Sequence, residues 1–147
     1  MNNVDKELLE IISDTSEYKG AYNIRRNGQA LERQITDNVN IVTKQDISGI
    51  DIIVKENTQF EYIHIPVIIT ESGLTDVVYN DFYIGKNASV YIIAGCGIHN
   101  CGAEDSEHDG IHRFYIGKNA HVKYIEKHYG SGNGKGNKIL DIKICSC

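Results

Sequence analysis

Two stretches decide the reading: Phe82-Tyr83-Ile84-Gly85-Lys86-Asn87-Ala88 and, 32 residues later, Phe114-Tyr115-Ile116-Gly117-Lys118-Asn119-Ala120. The seven letters are identical. Each copy continues with one variable residue and a valine, Val90 and Val122. A weaker third copy, Ile53-Val54-Lys55-Glu56-Asn57-Thr58-Gln59-Phe60, starts about 30 residues upstream. Self-similarity at such a period marks a stacked array or solenoid. Each copy reads as strand, turn, strand, so the unit is one β coil rather than a helical hairpin. Equivalent residues of successive coils then stack at about 4.8 Å. Asn57, Asn87 and Asn119 are expected to form an amide ladder along the turn. Ile84, Ile116, Val90 and Val122 are expected to point into a shared core. The alternative is a pair of duplicated hairpins in an ordinary sheet.

Composition supports strands. The chain holds 23 Ile and 9 Val against 5 Leu, with 9 Tyr, 13 Asn, 14 Gly and a single Pro. Branched and aromatic side chains suit a pleated surface, and Asn and Gly suit tight turns. A helical bundle would be richer in Leu and Ala. Hydrophobic residues at 41% and charged residues at 24% exclude a disordered or collagen-like chain. A net charge of −5 lacks the basic excess of a nucleic-acid binder. No apolar run approaches the ~18 residues that cross a bilayer, which predicts no membrane insertion. The start, Met1-Asn2-Asn3-Val4-Asp5, shows no secretory signal. A cytoplasmic location is therefore expected. There Cys96, Cys101, Cys145 and Cys147 would be free or metal-bound rather than disulfide-bonded.

The fold class expected is all-β: a parallel β-helix, or solenoid, with a short N-terminal helix. Residues 1–16 hold that helix. Val4, Leu8, Ile11 and Ile12 fall on one face of a 3.6-residue period, with Asn3 as cap. Residues 17–147 form the β-helix domain. Arg25 and Arg26 precede the Asn27-Gly28 turn and read as solvated strand-end charges. The strand-like stretch Ile139 to Cys145 would leave a bare edge without a capping element, so the domain reads as truncated at its C-terminus.

Residues 95–113 read as a polar insertion that breaks the repeat. They carry Cys96, His99, Cys101, His108 and His112 among Glu104, Asp105, Glu107 and Asp109. Thiolate and imidazole are the usual ligands of zinc and iron. The spacing, C-x2-H-x-C followed by H-x3-H, matches no zinc ribbon or finger. The 32-residue offset places Cys96 over His128, Ala94 over Glu126 and Ile92 over Tyr124. Cys96, His99, His112 and His128 are accordingly the candidate metal ligands, with Glu126 placed to orient one. The competing reading is a mobile acidic loop with surface histidines. Gly130 to Gly136 fails as a phosphate loop, because Gly134-Lys135 is followed by Gly136. No G-x-S-x-G elbow is present, and no catalytic residue is assigned. Cys145-Ser146-Cys147 reads as a soft-metal pair or a frayed tail.

The chain resembles the SufB/SufD family of iron–sulfur cluster assembly scaffolds, in particular the short type with one SufBD subunit. The stretches that carry the resemblance are Gly20-Ala21-Tyr22-Asn23-Ile24-Arg25, His64-Ile65-Pro66-Val67, Asn80-Asp81-Phe82-Tyr83-Ile84-Gly85, Ala94-Gly95-Cys96-Gly97-Ile98-His99-Asn100, His108-Asp109-Gly110-Ile111-His112 and Val122-Lys123-Tyr124-Ile125-Glu126-Lys127-His128-Tyr129-Gly130. The resemblance implies a right-handed parallel β-helix in the cytoplasm. It implies partnership with a SufC-type ATPase and another SufBD subunit, and cargo in the form of an iron–sulfur cluster or iron held transiently. The scaffold is then not an enzyme. Longer members continue through more coils and end in docking helices, and their cluster-assembly residues lie largely there, so none is carried over. Two other classes stand beside this one. A hexapeptide-type β-helix acyltransferase would use His99 or His112 as base, but needs six-residue repeats through every coil. A purely structural β-solenoid would act as an interaction module.

Overall fold

In the repeated turn the chain climbs from one coil to the next. Asn57, Asn87 and Asn119 all adopt a positive φ, near 60°, which asparagine tolerates better than other side-chain-bearing residues. Gly85 and Gly117 sit where the turns stack closely. A Cβ on Gly117 would stand 2.8 Å from Ile84 O, inside van der Waals contact. The turns bond to one another as well as to themselves: Asn57 N donates to Lys86 O, and Asn87 N to Lys118 O, each at 2.9 Å. One rung of the expected amide ladder forms, Asn87 Nδ2 donating to Asn57 Oδ1 at 3.3 Å, and among the described residues Asn119 makes no such bond to Asn87.

The computed structural model describes residues 1–133 and 136–146. It is a β-solenoid of about three turns, with 59% of the described residues in strands and one short helix among them. The helix is α1 (Asn3–Ser13). The strands are β1 (Ala21–Arg26), β2 (Gln29–Gln34), β3 (Val39–Thr43), β4 (Gly49–Val54), β5 (Glu61–Ile69), β6 (Thr75–Ile84), β7 (Ser89–His99), β8 (Ser106–Ile116), β9 (His121–Ser131) and β10 (Asn137–Ser146). From β4 onward the strands alternate between two sheets. One sheet runs β2-β1-β5-β7-β9 and the other β10-β8-β6-β4-β3. All pairings are parallel except β1 with β2 and β3 with β4, two antiparallel pairs that put β2 and β3 at one edge of each sheet. The opposite edges are β9 and β10.

Register fixes what faces the lumen. Gly49 lies beside Tyr79, Tyr79 beside Ile111 and Ile111 beside Ile142, so successive coils advance by 30, 32 and 31 residues. Ile52, Phe82 and Phe114 form one inward column, and the two rings stack 4.6 Å apart. Tyr83 and Tyr115, one position on, stack at 5.0 Å on the outer face. Val90 and Ile84 are buried, and Val122 and Ile116 pack half-buried against the same core. A second lumen cluster gathers Val67, Ile69, Cys96 and Ile98.

The helix docks on the outside of the first sheet. Leu8, Leu9 and Ile12 are buried against Ile24 and Ile68, whereas Val4 remains exposed. Gly95 and Gly97 make room for it, since a Cβ on either would meet Ile12 at 3.2–3.3 Å. The cap is Asn2, not Asn3. Asn2 Oδ1 accepts from Asp5 N at 2.9 Å, and Asp5 Oδ2 accepts from Asn2 N, a reciprocal capping box. Arg25 is not a solvated strand end either. Its guanidinium grips Asp76 through two bonds of 2.7 and 2.9 Å inside the coil, while Arg26 pairs with Asp5. Residues 95–113 do not interrupt the repeat. They are the end of β7, a short loop at 100–105 and most of β8, paired in register with both neighbouring coils. The polar letters misled because on β8 it is the inward face that is polar.

Candidate functional site

Strands alternate their side chains between faces, so β8 turns His108, Gly110 and His112 into the lumen together with Phe114. Its neighbour β6 contributes Asp76 and Asn80, and β10 contributes Asp141 and Lys143. From the opposite sheet β7 brings Cys96, and β9 brings Tyr124, Glu126 and His128. Together Asn80, Cys96, His108, His112, Glu126, His128 and Asp141 line one pocket. Its water-sized space is about 10 Å³, close to what one water molecule or one small ion occupies.

The charged groups in it are closely coupled. His112 Nε2 lies 2.9 Å from Asp141 Oδ1 and 3.9 Å from Glu126 Oε1. His128 Nε2 lies 3.3 Å from Glu126 Oε2 and 3.4 Å from Asp141 Oδ2. Lys143 Nζ donates to Glu126 Oε2 at 2.9 Å, and Tyr124 OH donates to Glu126 Oε1 at 2.6 Å. The approach of His112 to Asp141 is not aligned as a hydrogen bond, so Asp141 Oδ1 is left without a partner among the described residues. Burial works to raise the Asp141 carboxyl. Its contacts with His112, Glu126 and Lys143 outweigh that and hold it well below the usual carboxylate range. Burial pushes the Tyr124 hydroxyl far up, and its bond to the Glu126 carboxylate adds to the shift.

Cys96 is 1% exposed, in register with His128 as the 32-residue offset predicts. Burial drives its thiol far above the ordinary value, and the carboxylates of Asp76, Asp141 and Glu126 add to this. At this position it is a small, core-facing side chain whose thiol resists ionisation. His99 goes elsewhere. Nδ1 meets Ser131 Oγ at 2.9 Å, and Nε2 meets the exposed Cys101 at 3.2 Å, both at the far end of β7. Of the four residues singled out in the sequence, then, His112 and His128 share the pocket's ion-pair network, Cys96 lines it as a neutral thiol, and His99 stands apart. Asp141 and Lys143 carried no sequence signal at the 32-residue period. At the true spacing of 31 residues between β8 and β10, Asp141 falls beside Gly110 and Lys143 beside His112. Cys145 is exposed on β10, and Cys147 lies outside the described residues.

A carboxylate pair with two imidazoles and one ammonium can hold a cation, relay a proton or lock two coils together. Its polar character is unusual in a solenoid lumen, because buried charges require partners to be tolerated. Among the described residues no helix is long and apolar enough to cross a membrane. Compared with protein-family models, curated proteins and solved structures, the chain matches none.

Proposed function

We propose that the chain is a scaffold subunit of iron–sulfur cluster assembly of the SufB/SufD type. It acts in the cytoplasm with a SufC-type ATPase and another SufBD subunit, and it catalyses no reaction of its own. One observation carries this reading. The stretches around Cys96 (94–100) and His128 (122–130), which carry the resemblance most specifically, lie on the adjacent strands β7 and β9, and the stretch 108–112 faces them from the other sheet across a single lumen pocket. Segments chosen only to build a solenoid would have no reason to place His108, His112, Glu126 and His128 there. Coils of about 30 residues with two long strands each also favour this reading over an acyltransferase built from six-residue repeats.

The cargo in this reading is iron, or a cluster in transit. Among the described residues the lumen offers nitrogen and oxygen donors and one protonated thiol. A single cysteine does not supply the several thiolates that usually ligate iron–sulfur centres. Sulfide or thiolates must therefore come from a partner subunit, which is the reason an assembly rather than a lone chain is invoked. The test is anaerobic purification of the protein tagged at its own chromosomal locus. A SufC-type ABC ATPase and a second SufBD subunit are expected to co-purify in defined stoichiometry. Recovery of the folded protein with neither of them overturns the assignment.

A further inference from the structure

Gly110 stands midway between His108 and His112 on β8, and all three face the lumen. The space above it is ringed by ligating atoms. A Cβ built on Gly110 would lie 3.0 Å from His112 Nε2, 3.1 Å from Asp141 Oδ1 and 3.4 Å from His108 Nε2. The two imidazoles lean toward each other over the glycine. Asp141, in register with Gly110 on β10, closes the third side. The ligating atoms of His112, Glu126 and Asp141 all lie within 4.8 Å of one another.

We propose that this cradle is a binding site for one divalent transition-metal ion of borderline softness, ferrous iron or zinc, ligated by His112, Asp141 and Glu126, with His108 at its rim. It rests on the geometry alone and holds whether or not the chain belongs to an assembly machine. Neither Cys96 nor His99 belongs to the ligand set. His128 lies on the open side, against the outer oxygens of both carboxylates.

Four features support it. The first is the spacing. Ligand atoms bound at about 2.1 Å stand about 3.0 Å apart across an octahedral edge and about 3.4 Å across a tetrahedral one. His112 Nε2 and Asp141 Oδ1, at 2.9 Å, already have that separation, and Glu126 Oε1 needs to close by a fraction of an ångström. The second is a buried ligand atom without a hydrogen-bond partner among the described residues, Asp141 Oδ1, which is aimed into the cradle. Buried polar groups are rarely left this way unless something else satisfies them.

The third is the outer ring of partners. Metal-bound histidines usually turn their second nitrogen toward a carboxylate or another polar group, which leaves the first aimed at the ion. His108 Nδ1 faces Asp76 Oδ2 at 3.5 Å, and Asp76 is itself clamped by Arg25. His112 Nδ1 has the side-chain amide of Asn80 beside it at 3.5 Å, and the amide oxygen, turned toward it, would accept the proton that Nδ1 carries when Nε2 ligates the metal. Tyr124 and Lys143 fix the two oxygens of Glu126 in the same way. The fourth is charge and ligand type. Two carboxylates face a single ammonium, so the pocket has room for further positive charge. One imidazole with two carboxylates, and a second imidazole at the rim, suits iron or zinc better than magnesium or a thiolate-seeking ion.

The experiment strips the full chain with a chelator and titrates it with zinc by calorimetry. A parallel anaerobic arm loads ferrous iron and measures retained metal after desalting. Wild type is expected to bind one ion per chain and to melt at a higher temperature with zinc than without. Gly110→Ala fills the cradle with a methyl group, and His112→Gln removes a ligand while keeping its size. Each is expected to weaken zinc binding at least tenfold and to abolish the zinc-induced rise in melting temperature. Circular dichroism of the metal-free proteins checks that the strands persist. If Gly110→Ala fails to fold, His112→Gln and Asp141→Asn carry the test. Cys96→Ser and His99→Ala are expected to bind as wild type does. Substoichiometric binding by wild type, unchanged binding by His112→Gln, or loss of binding in Cys96→Ser overturns the site.

Discussion

Phe82 and Tyr83 are adjacent, similar in size and each stacked on the same kind of residue one coil away, yet they face opposite sides of the sheet. Truncating each to alanine therefore isolates the lumen. Phe82 is fully buried, stacked on Phe114 at 4.6 Å and edge-on to Tyr124 at 6.4 Å. Phe82→Ala removes that burial and leaves a cavity between coils, a change that typically costs about 3–5 kcal/mol. In a chain of this size each kcal/mol lowers the melting temperature by about 2–4 °C, so a fall of roughly 6–20 °C is expected. Tyr83 is 41% exposed, and its ring stacks on Tyr115 in contact with solvent. Tyr83→Ala loses a cross-strand pair of the kind worth about 0.2–1 kcal/mol, a fall of a few degrees at most. Urea titration monitored by circular dichroism reads both variants on one scale. Equal midpoints, or a larger loss for Tyr83→Ala, would refute the inward column and with it the register of the coils.

Two further expectations follow from the environments of Cys96 and His64. Native protein treated with iodoacetamide at pH 8 should be alkylated at the exposed Cys101, whereas Cys96, buried and with its thiol pushed far up, should react only in denaturant; peptide mass mapping with and without urea reads the difference, and native labelling of Cys96 counts against its placement. His64 is buried beneath Tyr18 and Tyr62, and burial lowers its imidazole from 6.5 to about 4. Because the folded value lies below the unfolded one, the unfolded chain binds the proton first. Stability is fully retained above pH 6.5 and falls between 6.5 and 4, by up to about 3 kcal/mol at this site. His64→Gln should flatten that part of the stability–pH curve, and an unchanged slope would place the acid sensitivity elsewhere.

The fold was legible because the repeat spans whole turns. Seven identical residues include the glycine that a stacked turn needs, the asparagine that takes its positive φ and the inward Phe and Ile of the core. The period, the turn and the face of each side chain are thus all written in Phe82 to Ala88. The helix was legible from its apolar period, although the cap fell one residue earlier than expected, because the reciprocal bond with Asp5 selects Asn2. Arg25 was misread because its partner, Asp76, lies 51 residues away and enters the lumen from another sheet. No local pattern announces an ion pair of that kind.

The site was only half legible, and the reason is phase. Side chains alternate with a period of two, so one residue more or less in a coil turns every inward position outward. From β7 to β9 the coil length is 32, and Cys96, His128 and Glu126 were placed correctly by that offset. From β8 to β10 it is 31. Carrying 32 forward would have put Ile142 and Ile144 beside Gly110 and His112, a plausible apolar core. The actual register puts Asp141 and Lys143 there and turns Leu140, Ile142 and Ile144 outward, each about half exposed. Hydrophobic pattern alone favours the other phase. The backbone pairing of ten residues along β8, together with the contacts that Asp141 and Lys143 make to His112, His128 and Glu126, opposes it. The polar pocket and the register of the last coil therefore depend on each other: the carboxylate reaches the histidines only in this phase, and in this phase the histidines are what the carboxylate has to meet.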